Sequence, residues 1–214
     1  WSTLIPATMI PNGTDLATYF ASNPITTENG EEVAYELEAG GSYTLSDDVD
    51  FDLNMVTLRG NKIDRATVTL GENGSLTTQA GLQIKWINFD CTAATKTGIL
   101  NLSANPSATI STESLGYKAD GANQDGFVIN DPVLIQDCNF KNVMNSLLYG
   151  NKKNWSLRYF TISGCIVQLN HDNGNSVLHL QGGGNGLIKN LTIRNSTFTN
   201  LLKNSSGYFI RYSN

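Results

Sequence analysis

The sequence predicts an all-β fold, a right-handed parallel β-helix in which short strands wind into stacked coils. Only 15% of the 214 residues are charged, whereas Asn alone occupies 25 positions, and Asn favours tight turns. The candidate strands are short and separated by turn residues, and similar apolar segments recur along the chain. Short strands combined with internal repetition are typical of a solenoid.

Residues 1–32 predict an N-terminal cap that contains one short helix. Thr14 is the expected N-cap of a helical segment at residues 13–21. The apolar face of this helix comprises Leu16, Tyr19 and Phe20. Residues 33–214 predict the coils, so we expect one β-helix domain over residues 1–214.

Internal repetition is clearest in four segments that align without gaps, at residues 82–89, 133–140, 160–167 and 191–198. Their central residues are Ile84, Ile135, Ile162 and Ile193. Relative to each Ile, apolar residues hold positions −2, 0 and +5, and polar residues hold +1. Strict alternation would keep one face inward at every second residue. Small or apolar residues also hold +3, so the inward set slips by one between 0 and +3. This slip predicts a bend between two strands, with the isoleucines forming one buried column.

Successive isoleucines are 51, 27 and 31 residues apart. The last two spacings fit one coil each, and the first fits either two coils or one coil with a long loop. A second apolar patch follows each Ile by about 13 to 16 residues. These patches are residues 99–100, 147–148, 177–178 and 209–210. Each coil is thus expected to carry its strands in the same order, so that stacking buries a continuous core.

Residues 102–131 fit the repeat least well and predict a long loop excursion. This loop is either a specific surface or a solvated connection. The chain ends at Asn214 in what reads as a strand, and solenoids need capped ends. We therefore expect either a fragment of a longer protein with a C-terminal continuation domain, which we favour, or end-to-end association with another chain.

The three cysteines form no CxxC pair, which favours buried structural thiols over metal or redox chemistry. Cys138 and Cys165 hold the same repeat position. We expect them to stack in the core as a thiol pair, about one strand spacing of 4.8 Å apart.

The net charge is −5 and the 14 Lys and Arg residues are scattered, which argues against a nucleic-acid partner. No apolar run approaches the roughly 18 residues of a membrane span. Residues 47–52 are rich in Asp and predict a solvated turn near the cap. His171 and His179, the two histidines, have no third ligand at metal spacing, so no metal site is predicted.

One family resemblance rests on the pattern Val33-x-Tyr35-x-Leu37-x-Ala39-Gly40-x-x-Tyr43-x-Leu45, followed by Val56-Thr57-Leu58-x-Gly60. It resembles the opening of pectate-lyase-like β-helix proteins. The whole chain is similar to uncharacterised β-helix domains of surface lipoproteins in gut bacteria that feed on glycans. The resemblance implies a bacterial cell-surface, periplasmic or extracellular setting, a polysaccharide partner and a possible lipid anchor upstream of Trp1. It implies no active site.

Two groups of residues are candidate ligand-binding sites. If the second apolar patches point inward, the residues that follow them point outward and stack as a row. This row comprises Asn101, Tyr149, His179 and Arg211. These side chains could stack on sugar rings and hydrogen-bond to hydroxyl groups. Alternatively, the row is an ordinary solvent-exposed strand face. The second group comprises Trp155, Arg158 and Tyr159, although Trp155 could instead cover the core edge.

These residues favour a non-catalytic polysaccharide-binding or glycan-presenting domain over two alternatives. The first alternative is a lyase or glycoside hydrolase for pectin-like or acidic polysaccharide. Such enzymes need clustered carboxylates or a base near bound Ca²⁺, and the sequence shows neither cluster. No catalytic residue and no cofactor is assigned, and Ca²⁺ enters only under the lyase alternative. The second alternative is a structural or adhesive stalk.

Overall fold

The computed structural model describes residues 4–26, 31–95, 98–103, 106–111, 126–150, 155–170, 175–181, 187–201 and 208–213. Over these residues the chain forms three parallel sheets and one short helix. Sheets B and C have six strands each, and sheet A has eight. The predicted all-β solenoid is therefore confirmed.

Six coils each contribute one strand to each sheet in the order A, B, C, and sheet A has two additional strands, one before the first coil and one between the third and fourth coils. Sheet A contains β1 (Thr8–Ile10), β2 (Glu32–Leu37), β5 (Met55–Arg59), β8 (Leu82–Lys85), β11 (Phe127–Ile129), β12 (Val133–Gln136), β15 (Trp155–Ser163) and β18 (Ile188–Arg194). Sheet B contains β3 (Ser42–Leu45), β6 (Ala66–Leu70), β9 (Ile87–Asp90), β13 (Asn139–Val143), β16 (Ile166–Leu169) and β19 (Thr197–Thr199). Sheet C contains β4 (Asp48–Asp50), β7 (Ser75–Thr78), β10 (Leu100–Leu102), β14 (Leu148–Tyr149), β17 (Leu178–Gln181) and β20 (Ile210–Ser213). Strands β2, β3 and β4 make the first of six coils.

The isoleucine column exists as predicted. Ile84 pairs with Ile135, Ile135 with Ile162, and Ile162 with Ile193, all in parallel register. The first three are buried, and Ile193 in the last coil is half-buried. Because β8 pairs directly with β12, the 51-residue spacing is one coil with a long insertion.

A single left-handed residue makes the bend between sheets A and B. Two positions after each Ile, backbone φ is positive at Trp86 (58°), Asp137 (50°), Gly164 (67°) and Asn195 (51°). One residue in this conformation reverses the side on which later side chains point, which explains the slip in the repeat. Asn and Gly adopt this conformation readily. Trp86 is bulkier, and its indole Nε1 donates to Asp137 Oδ2 at 3.3 Å in the next coil.

The position five residues after each Ile forms a second buried column. Phe89 pairs with Phe140, Phe140 with Val167, and Val167 with Phe198. The rings of Phe89 and Phe140 stack with centroids 5.0 Å apart and planes within 5°. Equivalent apolar side chains therefore fill the core layer by layer.

The insertion between the third and fourth coils is not entirely a loop. Residues 104–105 and 112–125 of the predicted excursion lie outside the described residues. Near its end, Phe127–Ile129 form strand β11, which pairs with the first residues of β15. The prediction of loop was wrong for these three residues, because the nine-residue strand β15 extends past β12 and provides a free partner.

The predicted cap helix is present as α1, Leu16–Ser22, but its N-cap is Asp15 rather than Thr14. The Asp15 side chain accepts from Thr18 N at 3.0 Å, whereas the Thr14 hydroxyl donates back to Pro11 O. Leu16 and Phe20 are buried against the first coil. The prediction of Thr14 was wrong by one residue, since both types are good N-caps.

Asp15 also joins the cap to the first coil. Its carboxylate accepts five hydrogen bonds, from the backbone and hydroxyl groups of Thr18 and Ser46 and from the Thr44 hydroxyl. Burial alone would raise the pKa of Asp15, but the hydrogen bonds from Thr18 and Ser46 outweigh it and lower the pKa to about 2.

All three cysteines are free and buried. Asn139, next to Cys138, pairs with Ile166, next to Cys165, so the two thiols lie at equivalent positions of adjacent coils as predicted. Both of these thiols face backbone carbonyls, with Cys138 Sγ 3.7 Å from Ile84 O and Cys165 Sγ 3.6 Å from Ile135 O. Burial raises the pKa of each thiol, which suits a structural role.

The column predicts a position-specific loss of stability. Ile162→Ala, at a fully buried site, should lower the free energy of unfolding by about 2–5 kcal/mol, since it removes buried methylenes and leaves a cavity. The control is Ile166→Ala on the outer face of sheet B, where the side chain is 53% exposed; it should change stability by less than about 0.5 kcal/mol. Chemical denaturation followed by circular dichroism measures both. Equal losses would contradict the column.

The Asp15 cluster predicts an acid-dependent contribution to stability. Asp15→Ala should destabilise the protein by about 1 kcal/mol at neutral pH. Because the folded-state pKa is about 2 and the ordinary value is 3.8, the contribution is present above pH 4 and disappears as the pH falls toward 2. The difference in unfolding midpoint between wild type and variant should shrink over that range. The exposed Glu31→Ala is the control, and a difference that persists undiminished at pH 2 would refute the assignment.

The thiols should be unreactive in the folded protein. The thiolate is the nucleophile, and burial both raises the thiol pKa and blocks access. Iodoacetamide at pH 8 should leave Cys91, Cys138 and Cys165 unmodified under native conditions and alkylate all three in denaturant. Mass spectrometry reads the result, and rapid native labelling of any of the three would count against a buried thiol there.

Candidate functional site

The predicted polar row lies on sheet C. Asn101 pairs with Tyr149, Tyr149 with His179, and His179 with Arg211. The residues before the first three, Leu100, Leu148 and Leu178, are completely buried. Strand alternation therefore points the row away from the core, and the predicted stacking of its members is confirmed.

The row extends through two more coils that sequence reasoning missed. Thr77 pairs with Asn101, and Asp50 pairs with Thr77. The repeat marked by an Ile starts at Ile84 and does not include the first two coils. The available signal was the alternation around Val49 and Leu76, which are buried like Leu100. We define the sheet C row by its members, Asp50, Thr77, Asn101, Tyr149, His179 and Arg211.

Two members of the row are recessed. Thr77 and His179 are only 5% and 7% exposed, although both lie on the outer face of a sheet. On the outer face of sheet B, Lys141 and Gln168 are exposed. Polar side chains sheltered outside the core are less common than exposed ones. Sheet C thus differs from sheet B in presenting polar groups within a sheltered surface.

Aromatic and amide groups occupy the centre of this surface. The rings of Tyr149 and His179 meet edge to face, with centroids 5.4 Å apart and planes at 83°. Beside them, Asn101 Oδ1 is buried and accepts no hydrogen bond from the described residues. A buried acceptor without a donor is unfavourable, so this oxygen is a polar group that the described part of the sheet leaves unsatisfied.

The last coil adds an aromatic residue that sequence reasoning did not single out. Tyr208 is 51% exposed, and the Arg211 guanidinium lies 5.5 Å from its ring centroid, within the range of a cation–π contact. Their contact was not predicted, because in the sequence the two residues are simply three positions apart near the start of an expected strand.

The first coil is acidic. Asp48, Asp50 and Asp52 alternate along β4 and just beyond it, so the prediction of a solvated turn over residues 47–52 was wrong for Asp48–Asp50. Their carboxylates accept hydrogen bonds from the coils below. Desolvation raises the pKa of Asp48 despite hydrogen bonds from Ser75 and Thr77.

These carboxylates help to attach the insertion to the sheet. Gln79 Nε2 donates to Asp52 Oδ1 at 2.9 Å, and Gln79 Oε1 accepts from the backbone N–H groups of Ser107 and Ala108. Ser103 Oγ lies 3.4 Å from Asp50 Oδ2. In the described part of the chain, no group of three or more His, Cys, Asp or Glu side chains could hold a metal ion. His171 lies outside the described residues.

The second predicted patch is on β15 in sheet A, apart from the row. Trp155 is 1% exposed, packs against Phe127 and donates from Nε1 to Ser103 O at 3.0 Å. It covers the core edge, so the ligand-binding alternative for Trp155 does not match its position. Arg158 Nε donates to Asn130 Oδ1 at 2.8 Å, while Tyr159 is 46% exposed. The structure does not group these three residues as one surface.

The comparisons with known proteins identify a family without an assigned activity. The family model described as Domain of unknown function (DUF4957) matches residues 41–201. The chain belongs to this family. The match in this DUF4957 protein begins one residue before β3 and ends shortly after β19, and so takes in most of the solenoid. No curated protein and no solved structure matches the chain. None of the described helices is long and apolar enough to cross a membrane.

Proposed function

We propose that this DUF4957 protein is a non-catalytic polysaccharide-binding β-helix that acts at the bacterial cell surface. The observation that carries the proposal is the sheet C row, in which six outward residues, one from each coil, stand in unbroken register. A polysaccharide is itself a linear repeat and matches a linear array of equivalent positions.

The spacing of the row supports a sugar chain as ligand. Adjacent coils lie about 4.8 Å apart, close to the length of one pyranose unit in an extended glycan. A chain lying across the coils would therefore meet a new side chain with each sugar. Tyr149 and Tyr208 offer aromatic faces or edges, and Asn101 and Arg211 offer polar atoms for hydroxyl groups.

The resemblance of residues 33–60 to pectate-lyase-like proteins also supports a polysaccharide as the ligand. On this proposal the protein is one of the glycan-binding surface lipoproteins of gut bacteria. The row contains one carboxylate and one guanidinium at opposite ends, which suits binding better than acid–base catalysis, because catalytic groups must converge on one bond. The lyase alternative and the stalk alternative are tested in the same experiment.

A glycan array followed by calorimetry on the best ligand tests the proposal. Tyr149→Ala and His179→Ala should each weaken binding about tenfold or more, as expected for residues at the centre of an interface. The control is Gln168→Ala, an exposed outward residue of sheet B, which should bind like wild type. Because His179 is nearly buried, circular dichroism must show that its variant is folded.

Three outcomes would count against the proposal. Absence of binding to every glycan would favour a stalk. Unchanged affinity in both folded variants would remove the sheet C row as the site. Unsaturated sugar products in incubations with pectins or glycosaminoglycans, with or without Ca²⁺, would identify a lyase.

A further inference from the structure

The two ends of the sheet C row carry opposite charge. Arg211, in the last coil, is the single basic residue of the six, if His179 is set aside. Asp50 occupies the first coil, with Asp48 and Asp52 two residues to either side. Thr77, Asn101 and Tyr149 between them are uncharged. A ligand that spans the row therefore meets a different charge at each end.

The ends are far enough apart to act independently. Five coil steps of about 4.8 Å separate Asp50 from Arg211, or about 24 Å in total. This separation exceeds the Debye length of about 8 Å at physiological ionic strength. The guanidinium therefore does not compensate for the carboxylates, and each end selects the part of the ligand that lies nearest to it.

Arg211 is available to an anionic group. It forms no ion pair with a described residue, and the ring of Tyr208 supports its guanidinium from one side. A planar guanidinium binds a carboxylate through two parallel hydrogen bonds. A charge-assisted pair of this kind is roughly twice as strong as a hydrogen bond between neutral groups.

The first coil disfavours a second anionic group. The Ser75 and Thr77 hydroxyls donate to Asp48, and Gln79 donates to Asp52, but these donors are neutral and leave the negative charges in place. A carboxylate on each sugar of the ligand would bring like charges together there, which is unfavourable. Binding of a uniformly acidic polymer is thus favoured at the Arg211 end of the row and disfavoured at the Asp50 end.

We infer that the sheet C row binds a largely neutral polysaccharide that carries an isolated acidic sugar, with its carboxylate at Arg211 and its neutral units over the earlier coils. This inference rests on the proposed function and narrows its ligand. It excludes homopolymers of uronic acid as preferred ligands, and with them the polymers expected for a pectate-type enzyme.

The test is a glycan array containing neutral glycans, the same glycans bearing one uronic or sialic acid, and homopolymeric uronates. The singly acidic glycans should bind about tenfold more tightly than their neutral counterparts, the gain expected from one charge-assisted pair. The uronate homopolymers should bind more weakly than the singly acidic glycans. Raising the salt concentration should reduce the preference.

Two charge variants assign the effect to the row. Arg211→Gln should abolish the difference in affinity between the singly acidic glycans and their neutral counterparts when both are measured on this variant. Arg194→Gln, at an exposed arginine of β18 on sheet A, is the matched control and should behave as wild type. Asp50→Asn should increase the binding of uronate homopolymers.

The results separate this inference from the proposed function. Equal binding of neutral and singly acidic glycans, or strongest binding of the uronate homopolymers, would overturn the inference while a polysaccharide-binding function stood. Binding of no glycan at all would overturn both. A preference that survives in the folded Arg211→Gln variant would overturn the assignment of the acidic sugar to this end of the row.

Discussion

The hydrogen bonds between consecutive coils are the constraint on which the rest of the structure depends. Each strand pairs in parallel register with its equivalent in the next coil, so that Leu82, Val133, Phe160 and Leu191 are partners on sheet A. Register carries two consequences at once. Inside, it places like side chains in contact and builds the core from columns. Outside, it converts a spacing of some thirty residues in the sequence into a row of neighbouring side chains, and the candidate site is one such row.

The corner between sheets A and B reconciles straight strands with a closed coil. A strand alternates its side chains strictly, whereas the coil must keep apolar groups inward on both sides of a bend. The left-handed residue at the bend resolves this conflict by reversing the side on which the later side chains point. Different residue types occupy this position in different coils. At Gly164 a side chain would meet the carboxylate of Asp137 in the coil below. At Trp86 the strain of a large residue is accompanied by the hydrogen bond to that same carboxylate.

The repeat made the later coils predictable and left the earlier ones obscure. Coils three to six share an Ile with fixed neighbours, so their strands, corner and two core columns followed from alignment. In the first two coils Tyr35 and Leu58 take the place of the Ile, and without that marker Asp50 and Thr77 were not recognised as members of the row. The same limit explains why Asp48–Asp50 was expected to be a turn. Its one apolar residue, Val49, stands between two acidic residues, so the local sequence shows little sign of a strand.

Features that depend on distant partners could not be predicted from local patterns. Trp155 is an aromatic residue beside polar ones, and only the insertion, through Ser103 and Phe127, shows that it is enclosed. Strand β11 likewise exists because β15 is long.

The position of the insertion has a further consequence. Since the third and fourth coils pair as if it were absent, segments of different length can be exchanged at this junction while the scaffold keeps its shape. The junction is therefore a natural place to graft a foreign loop beside the sheet C row.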